Sequence, residues 1–479
     1  MDPTFLPAWR LAELTTSGEI GCVELLDHYT ARVDRLNPRI NAVVVRDLER
    51  ARKRARSLDR NGTAKAPLFG VPMTVKESYD VAGLPTTWGY TDRKTHRAEA
   101  DALAVQRLEQ AGAVVFGKTN VPVALADWQS YNPVYGTTNN PWHEAHTPGG
   151  SSGGGAAACA AGFGGLELGS DIGGSIRVPA HYCGLFGHKP TWALCPPRGH
   201  SLINAAAITD ISVIGPLARS ARDLTLALNA IAWPDPLDSD LAIALPAPRT
   251  TCPSELRIAV WSHEPCHETD TETVALIEEI ARHLESEGVE ISRTARPDFD
   301  VTEAYRLYIT LLDAALSARA PEDALARKRE AKAKLHADDM STGALFKRAV
   351  DLTHREWLRL NERRHQIRRA WQAFFRNWDV LLCPVIATPA LPHMQEGEPW
   401  GRTHTVNGRT IGYEDMLFWP GITCAFHLPA SVAPIGLSQS GLPIGVQIVG
   451  PMYGDRTTIA ITELLEKSWR AFVPPPGWN

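Results

Sequence analysis

Two short stretches of this 479-residue chain hold residue types that chemistry needs. The first is Pro148-Gly149-Gly150-Ser151-Ser152-Gly153-Gly154-Gly155. The second is Gly169-Ser170-Asp171-Ile172-Gly173-Gly174-Ser175-Ile176-Arg177. An Ala-rich segment lies between them, and each places serine beside glycine. Glycine admits positive φ and leaves main-chain N–H groups uncovered. Successive N–H groups in such a loop form a nest that holds negative charge. A nest can bind a phosphate or stabilise an oxyanion. The phosphate reading fits poorly, because neither loop continues into the Lys of a G-x-x-x-x-G-K-[ST] motif. A dinucleotide fingerprint starting at Gly162 fails at Glu167, where its third glycine belongs. A G-x-S-x-G elbow fails as well, since Arg177 stands two residues after Ser175. Close helix-to-strand packing would explain one such loop. Two loops, each presenting serine, favour oxyanion chemistry.

A second pattern, His263-Glu264-Pro265-Cys266-His267, matches the H-E-x-x-H zinc motif. That motif needs a helix, so that both histidines face one metal. Pro265 opposes a regular helix by ~3 kcal/mol or more. The segment also falls between a strand and a capped helix, where a loop is expected, and no metal or other cofactor is assigned.

The elements that must position the two loops alternate in type. Phe69–Val75 is apolar and strand-like, Asp101–Gly112 helical, Ala113–Phe116 a short buried strand, Ala156–Ala161 helical and Gly165–Leu168 extended. The pattern resumes with a strand at Leu256–Trp261. A helix capped by Asp270 follows, with Ile277, Ile280, Ala281 and Leu284 on one face and Gly288 closing it. Leu442–Val449 is a near-continuous apolar run of the kind buried on both sheet faces. Such alternation predicts an α/β fold: one large domain over residues 1–479, with a central mixed, mainly parallel twisted sheet covered by helices on both faces. Within it, residues 1–65 read as helices, 66–235 as the core bearing the motifs, and 250–479 as the rest of the sheet. A charged helical insertion at about 318–375 is expected to cover the site. Trp233–Pro248 is Pro-rich and reads as a loop within the domain.

Composition narrows the classes. Hydrophobic residues make up 44% and charged residues 22%, so a sizeable core is available and disorder is excluded for the whole. The formal net charge is −5, which gives no global field for nucleic acid or anionic membrane. The basic run in Leu48–Arg60 reads as a solvated helix face behind Leu48, Ala51, Ala55 and Leu58. No apolar run approaches the ~18 residues of a membrane span. The eight scattered cysteines form no C-x-x-C pair, and no secretory signal opens the sequence, so reduced thiols and a cytoplasmic location are expected.

Read in order, further motifs resemble the amidase signature family. They are Gly70-Val71-Pro72-Met73-Thr74-Val75-Lys76-Glu77, Asp80-Val81-Ala82-Gly83-Leu84-Pro85-Thr86-Thr87 and Gly117-Lys118-Thr119-Asn120. Both Gly/Ser loops follow, then Cys183-Gly184-Leu185-Phe186-Gly187-His188-Lys189-Pro190-Thr191 and Gly215-Pro216-Leu217-Ala218-Arg219-Ser220. The resemblance covers most of the chain and is strongest from Phe69 to Arg222. It implies a Ser–Ser–Lys triad of Ser175 as nucleophile, Ser151 as proton relay after a cis peptide, and Lys76 as base, at the family's usual separations of 24 and 75 residues. A serine hydroxyl attacks only when a base takes its proton. Lys76 can serve only if neutral, which burial favours. On residue type alone Lys76 would read as a surface lysine paired with Glu77, and Lys118 is its rival. His181 and His188 are read as packing or loop residues. The resemblance further implies an oxyanion hole from the N–H groups of Ile172, Gly173, Gly174 and Ser175, with Ser152, Asp171 and Arg177 in support. Met73, Trp128 and Tyr131 stand near the motifs as candidate pocket residues.

The implied activity is hydrolysis of a linear amide C–N bond in a small molecule, yielding acid and amine or ammonia. The glutaminase (A) subunit of a tRNA-dependent amidotransferase is the alternative, as is a related hydrolase of esters or carbamates. Trp192-Ala193-Leu194-Cys195-Pro196-Pro197-Arg198-Gly199-His200 departs from the glutaminase subunits and lowers that alternative. Nucleic acid and membrane are not expected partners. A homodimer is a common family outcome.

Overall fold

In the computed structural model, which describes residues 2–61, 66–202, 205–238, 243–318 and 320–478, eleven strands join into one sheet. In chain order they are β1 (Val43–Arg46), β2 (Pro72–Lys76), β3 (Val114–Thr119), β4 (Leu166–Asp171), β5 (Phe186–Lys189) and β6 (Val213–Ala218). The chain continues with β7 (Arg257–Val260), β8 (Glu290–Ser292), β9 (Val380–Pro384), β10 (Ala430–Leu437) and β11 (Pro443–Val449). Their order across the sheet is β1-β3-β2-β4-β6-β5-β10-β11-β9-β7-β8. Parallel pairing joins β3-β2-β4 on one side and β9-β7-β8 on the other. The pairs between these runs, and β1 against β3, are antiparallel. The expected mixed α/β sheet is therefore present, with parallel pairing on its flanks.

Two faces of the sheet carry two separate cores. Ile258, Val260 and Leu382 belong to one, while Ala259, Leu381 and Cys383 belong to the other. This is the period-2 alternation of a strand covered on both sides. Helix Thr271–Ser286 packs on the first face. Asp270 caps it, accepting from the N–H groups of Glu272 (2.9 Å) and Thr273 (3.3 Å), and Ile277, Ile280, Ala281 and Leu284 are buried. Helices Val301–Ser317 and His354–Asn377 contribute to the second core. The basic helix Leu48–Asn61 buries Ala51 and Ala55, and its Arg50 pairs with Asp101 at 2.8 Å.

Several boundaries move. The strand expected from Phe69 begins at Pro72 and runs on to Lys76, because Gly70 turns the chain with φ +72°. The small helix expected at Ala156 starts at Gly153 and is buried along its whole length. The helical cover spans Val301–Ser317, Glu322–Ala333, Thr342–Arg348 and His354–Asn377, so it opens before residue 318. Of the stretch expected as a loop at Trp233–Pro248, residues 239–242 lie outside the described residues, as do 62–65 of the N-terminal segment and Arg319 of the cover. Among the described residues, no helix is long and apolar enough to cross a membrane.

Candidate active site

β2 and β4 are adjacent and parallel, with Val75 opposite Leu168. Their C-terminal ends therefore bring Lys76 beside Ser170 and Asp171. Open α/β sheets commonly bind ligands at such strand ends. Lys76 Nζ lies 2.7 Å from Ser151 Oγ and 2.9 Å from Ser170 Oγ, and it donates to the Ser170 carbonyl at 3.5 Å. The amine is fully buried. Burial brings it down to about 7, against the opposing pull of Asp171 and Glu167. The surface pairing with Glu77 does not occur: Lys76 ends β2, Glu77 opens the turn after it, and both side chains are buried. Glu77 instead accepts from the N–H groups of Thr87 (2.6 Å) and Trp88 (2.9 Å).

The Gly150–Ser151 peptide is cis. Ser152 Oγ accepts from the Ser170 N–H and donates to its carbonyl, both at 3.3 Å. The Ser152 N–H donates to the Ser175 carbonyl at 3.2 Å, which ties the two Gly/Ser loops together. Exposure rises outward from Lys76 (0%) through Ser151 (1%) to Ser175 (6%). Among the described residues, none hydrogen-bonds the Ser175 hydroxyl. Ser175 opens into a cavity with about 60 Å³ of accessible space, walled mainly by Leu125, Trp128, Ile172, Leu312, Leu316 and Leu417.

Asp171 shapes the second loop. Its Oδ1 accepts from the Gly174 N–H at 2.8 Å and its Oδ2 from the Ile176 N–H at 3.1 Å. Arg177 grips both oxygens at 2.9 Å, with neither side chain exposed. The guanidinium holds the Asp171 carboxyl well below the usual carboxylate range, against the cost of burial. Arg177 also donates to the Pro420 carbonyl at 3.0 Å and to Thr423 Oγ1 at 2.7 Å, anchoring the loop to helix Phe418–Cys424. Gly174 sits at φ +101°, where an added Cβ would come within 2.8 Å of Val178 and 3.1 Å of Pro420.

Several expected roles change. The Gly174 N–H is engaged by Asp171, so Ile172, Gly173 and Ser175 are the members of the expected cradle whose N–H groups no described residue accepts. Trp128 and Ile172 do line the cavity. Met73 does not. It lies three residues before Lys76 in β2, hence on the opposite face, and is fully buried in the other core. Tyr131 also falls outside the wall, its hydroxyl accepting from Arg402 Nη2 at 2.8 Å. Lys118 points away from the serines and donates to the Pro85 carbonyl and to Thr86 Oγ1. His181 spans Gly445 and Thr388, and His188 spans Ser431 and Asp455, both fully buried. His263–His267 is a turn in which Glu264 bridges to His267, whose ring stacks on Phe418 at 3.9 Å.

Other residues of the site emerge only from the coordinates. Ser170 touches the Lys76 amine directly. Glu167 is a carboxyl buried in β4, and its appearance in the otherwise apolar Leu166–Leu168 was the one available signal. The cavity wall supplied by Leu312, Leu316, Tyr413 and Glu414 comes from segments more than a hundred residues downstream of the two Gly/Ser loops.

Comparison with known proteins gives the family. The family model described as Amidase matches residues 24–459. The chain is 31% identical to an indoleacetamide hydrolase of Bradyrhizobium diazoefficiens, over 96% of this chain and 87% of that protein. It is 30% identical to the A subunit of a glutamyl-tRNA(Gln) amidotransferase from a Synechococcus species, over 98% and 97% respectively. The solved structure of 6-aminohexanoate cyclic dimer hydrolase complexed with substrate superposes with a TM-score of 0.81 at 29% identity, covering 100% of both chains. Sequence motifs, sheet and comparisons converge, and the chain belongs to the amidase family, the amidase signature enzymes, which hydrolyse amides.

Proposed function

We propose that the protein cleaves a small-molecule carboxylic amide through an acyl-enzyme on Ser175. The observation that carries this reading is the 2.7 Å contact between the buried Lys76 amine and Ser151 Oγ, directly behind the cavity that Ser175 enters. An amine brought down to about 7 is about half free base at neutral pH. Ser175 attacks the amide carbonyl as its proton passes through Ser151 to Lys76. The Ser151–Ser175 link closes on substrate binding, since catalytic hydrogen bonds tighten in the Michaelis complex. The oxyanion rests on the N–H groups of Ile172, Gly173 and Ser175, which Asp171 and Arg177 hold in place. The proton returns through Ser151 to the leaving nitrogen, the C–N bond breaks, and water then releases the acid.

The wall of leucines, isoleucine and tryptophan favours an apolar acyl or aryl group. The test is a panel of aliphatic, aryl and peptidyl amides, with an ester and a carbamate, presented to the purified chain alone. The reading expects kcat/KM to be highest for an apolar primary amide or anilide. Glutamine hydrolysis that appears only with partner subunits and tRNA would overturn it in favour of a role within an amidotransferase.

A further inference from the structure

The peptide joining Gly173 to Gly174 lies between two donors of the expected cradle, the N–H groups of Gly173 and Ser175. A glycine stands on each side of it. Glycine does the least to fix its own φ and ψ, so this plane must be held from outside. It is held at both ends. Its N–H donates to Asp171 Oδ1 at 2.8 Å, and its carbonyl, that of Gly173, accepts from the indole Nε1 of Trp128 at 2.9 Å. The N–H and C=O of a trans peptide point opposite ways in one plane, so these two bonds fix its orientation. Trp128 is itself braced by the first Gly/Ser loop. A Cβ at Gly150 would lie 2.7 Å from the carbonyl carbon of Trp128, so backbone packs on backbone there. Thr147 Oγ1 donates to the Trp128 carbonyl at 3.3 Å, and the Tyr413 ring stands 5.4 Å from the indole. Trp128 is nearly buried and lines the cavity that Ser175 enters.

We propose that Trp128 is a positioning residue for the oxyanion cradle. Its indole N–H, through the Gly173 carbonyl, keeps the Gly173 and Ser175 N–H groups aimed at one point, while its ring is a wall for the acyl group. This rests on the reading of Ser175 as the nucleophile. The two parts of the side chain then have separable effects. Without the indole N–H the Gly173 carbonyl loses this partner. The Gly-Gly plane is free to turn about the Asp171 bond alone, and the donors on either side no longer converge. A misaligned donor matters most where negative charge develops, so the loss falls on the transition state rather than on substrate binding. The ring acts on both states alike, because the acyl group stays in the cavity throughout.

Two variants remove the N–H. Trp128→Phe keeps an aromatic wall. Benzothienylalanine at position 128, with sulfur in place of the indole N–H, keeps the full ring shape. The probes are the fastest primary amide of the panel above and the trifluoromethyl ketone with the same acyl group, which adds to a serine hydroxyl and leaves an oxyanion. Both variants should lose about tenfold in kcat/KM, less than the about 10²–10³-fold of a lost cradle donor, and should bind the ketone more weakly by a similar factor. In the benzothienylalanine protein the Kd of the amide, titrated in a Ser175→Ala background, should change less than about threefold. In that protein an unchanged kcat/KM, or amide and ketone affinities that fall together, makes Trp128 a cavity wall alone and overturns the proposal. Ser175→Ala separates the two readings. Turnover retained in that variant defeats the nucleophile assignment itself, whereas an inactive Ser175→Ala beside either of those results defeats only the role of Trp128.

Discussion

Two buried lysines on adjacent strands of the same sheet have different surroundings. Lys76 closes β2 and Lys118 is the penultimate residue of β3; neither has any exposed surface. Burial lowers both, to about 7 and about 8. Their neighbours differ. Lys118 donates to the Pro85 carbonyl, an acceptor that cannot give up a proton, and meets a single hydroxyl, that of Thr86, away from the two serines. Lys76 meets two hydroxyls, Ser151 and Ser170, which can either accept or donate. On the proposed mechanism, desolvation alone does not make a base. A base also needs a partner that can hand it a proton, next to a surface the substrate can reach.

The largest effect expected is from Ser175→Ala, which should lower kcat by at least about 10⁴-fold with the fold intact by circular dichroism. Lys76→Ala should cost about 10³-fold in kcat, within the range for loss of a general base, and a near-native rate at neutral pH would break the comparison. The third test is the wild-type pH profile. A base with a pKa near 7 is charged and idle below that pH, so kcat/KM should fall about tenfold per unit on the acid side and level off above it. Lys118→Met sharpens the contrast from the other side. It should change kcat less than tenfold and leave the acid limb where it is. It should nevertheless destabilise the protein by about 1–3 kcal/mol in denaturant titrations, because the Pro85 carbonyl and Thr86 hydroxyl lose their partner.

Much of the site is legible in the order of motifs. The two Gly/Ser loops announce a main-chain cradle, and strand alternation with apolar runs announces the sheet. Where the structure departs from the sequence reading, the causes are physical. Met73 is close to Lys76 in sequence and so reads as a pocket residue, yet the pleat sends it to the opposite core. Glu167 stands out in the sequence only as an acid between two leucines. Its meaning depends on Thr74 and Thr119, which strand pairing brings to it from sequence separations of 93 and 48 residues. Gly174 reads as one more free N–H, but the Asp171 carboxylate claims it. The cavity wall in Val301–Ser317 is hidden because Leu312 and Leu316 belong to no motif, and only the fold lays them over Ser175.

The most direct measurement is peptide mapping by mass spectrometry after reaction with a fluorophosphonate, which captures the serine that attacks. The account predicts one adduct, on Ser175, absent in Ser175→Ala and formed far more slowly in Lys76→Ala. An adduct on another residue, or labelling of Lys76→Ala at the wild-type rate, would contradict it.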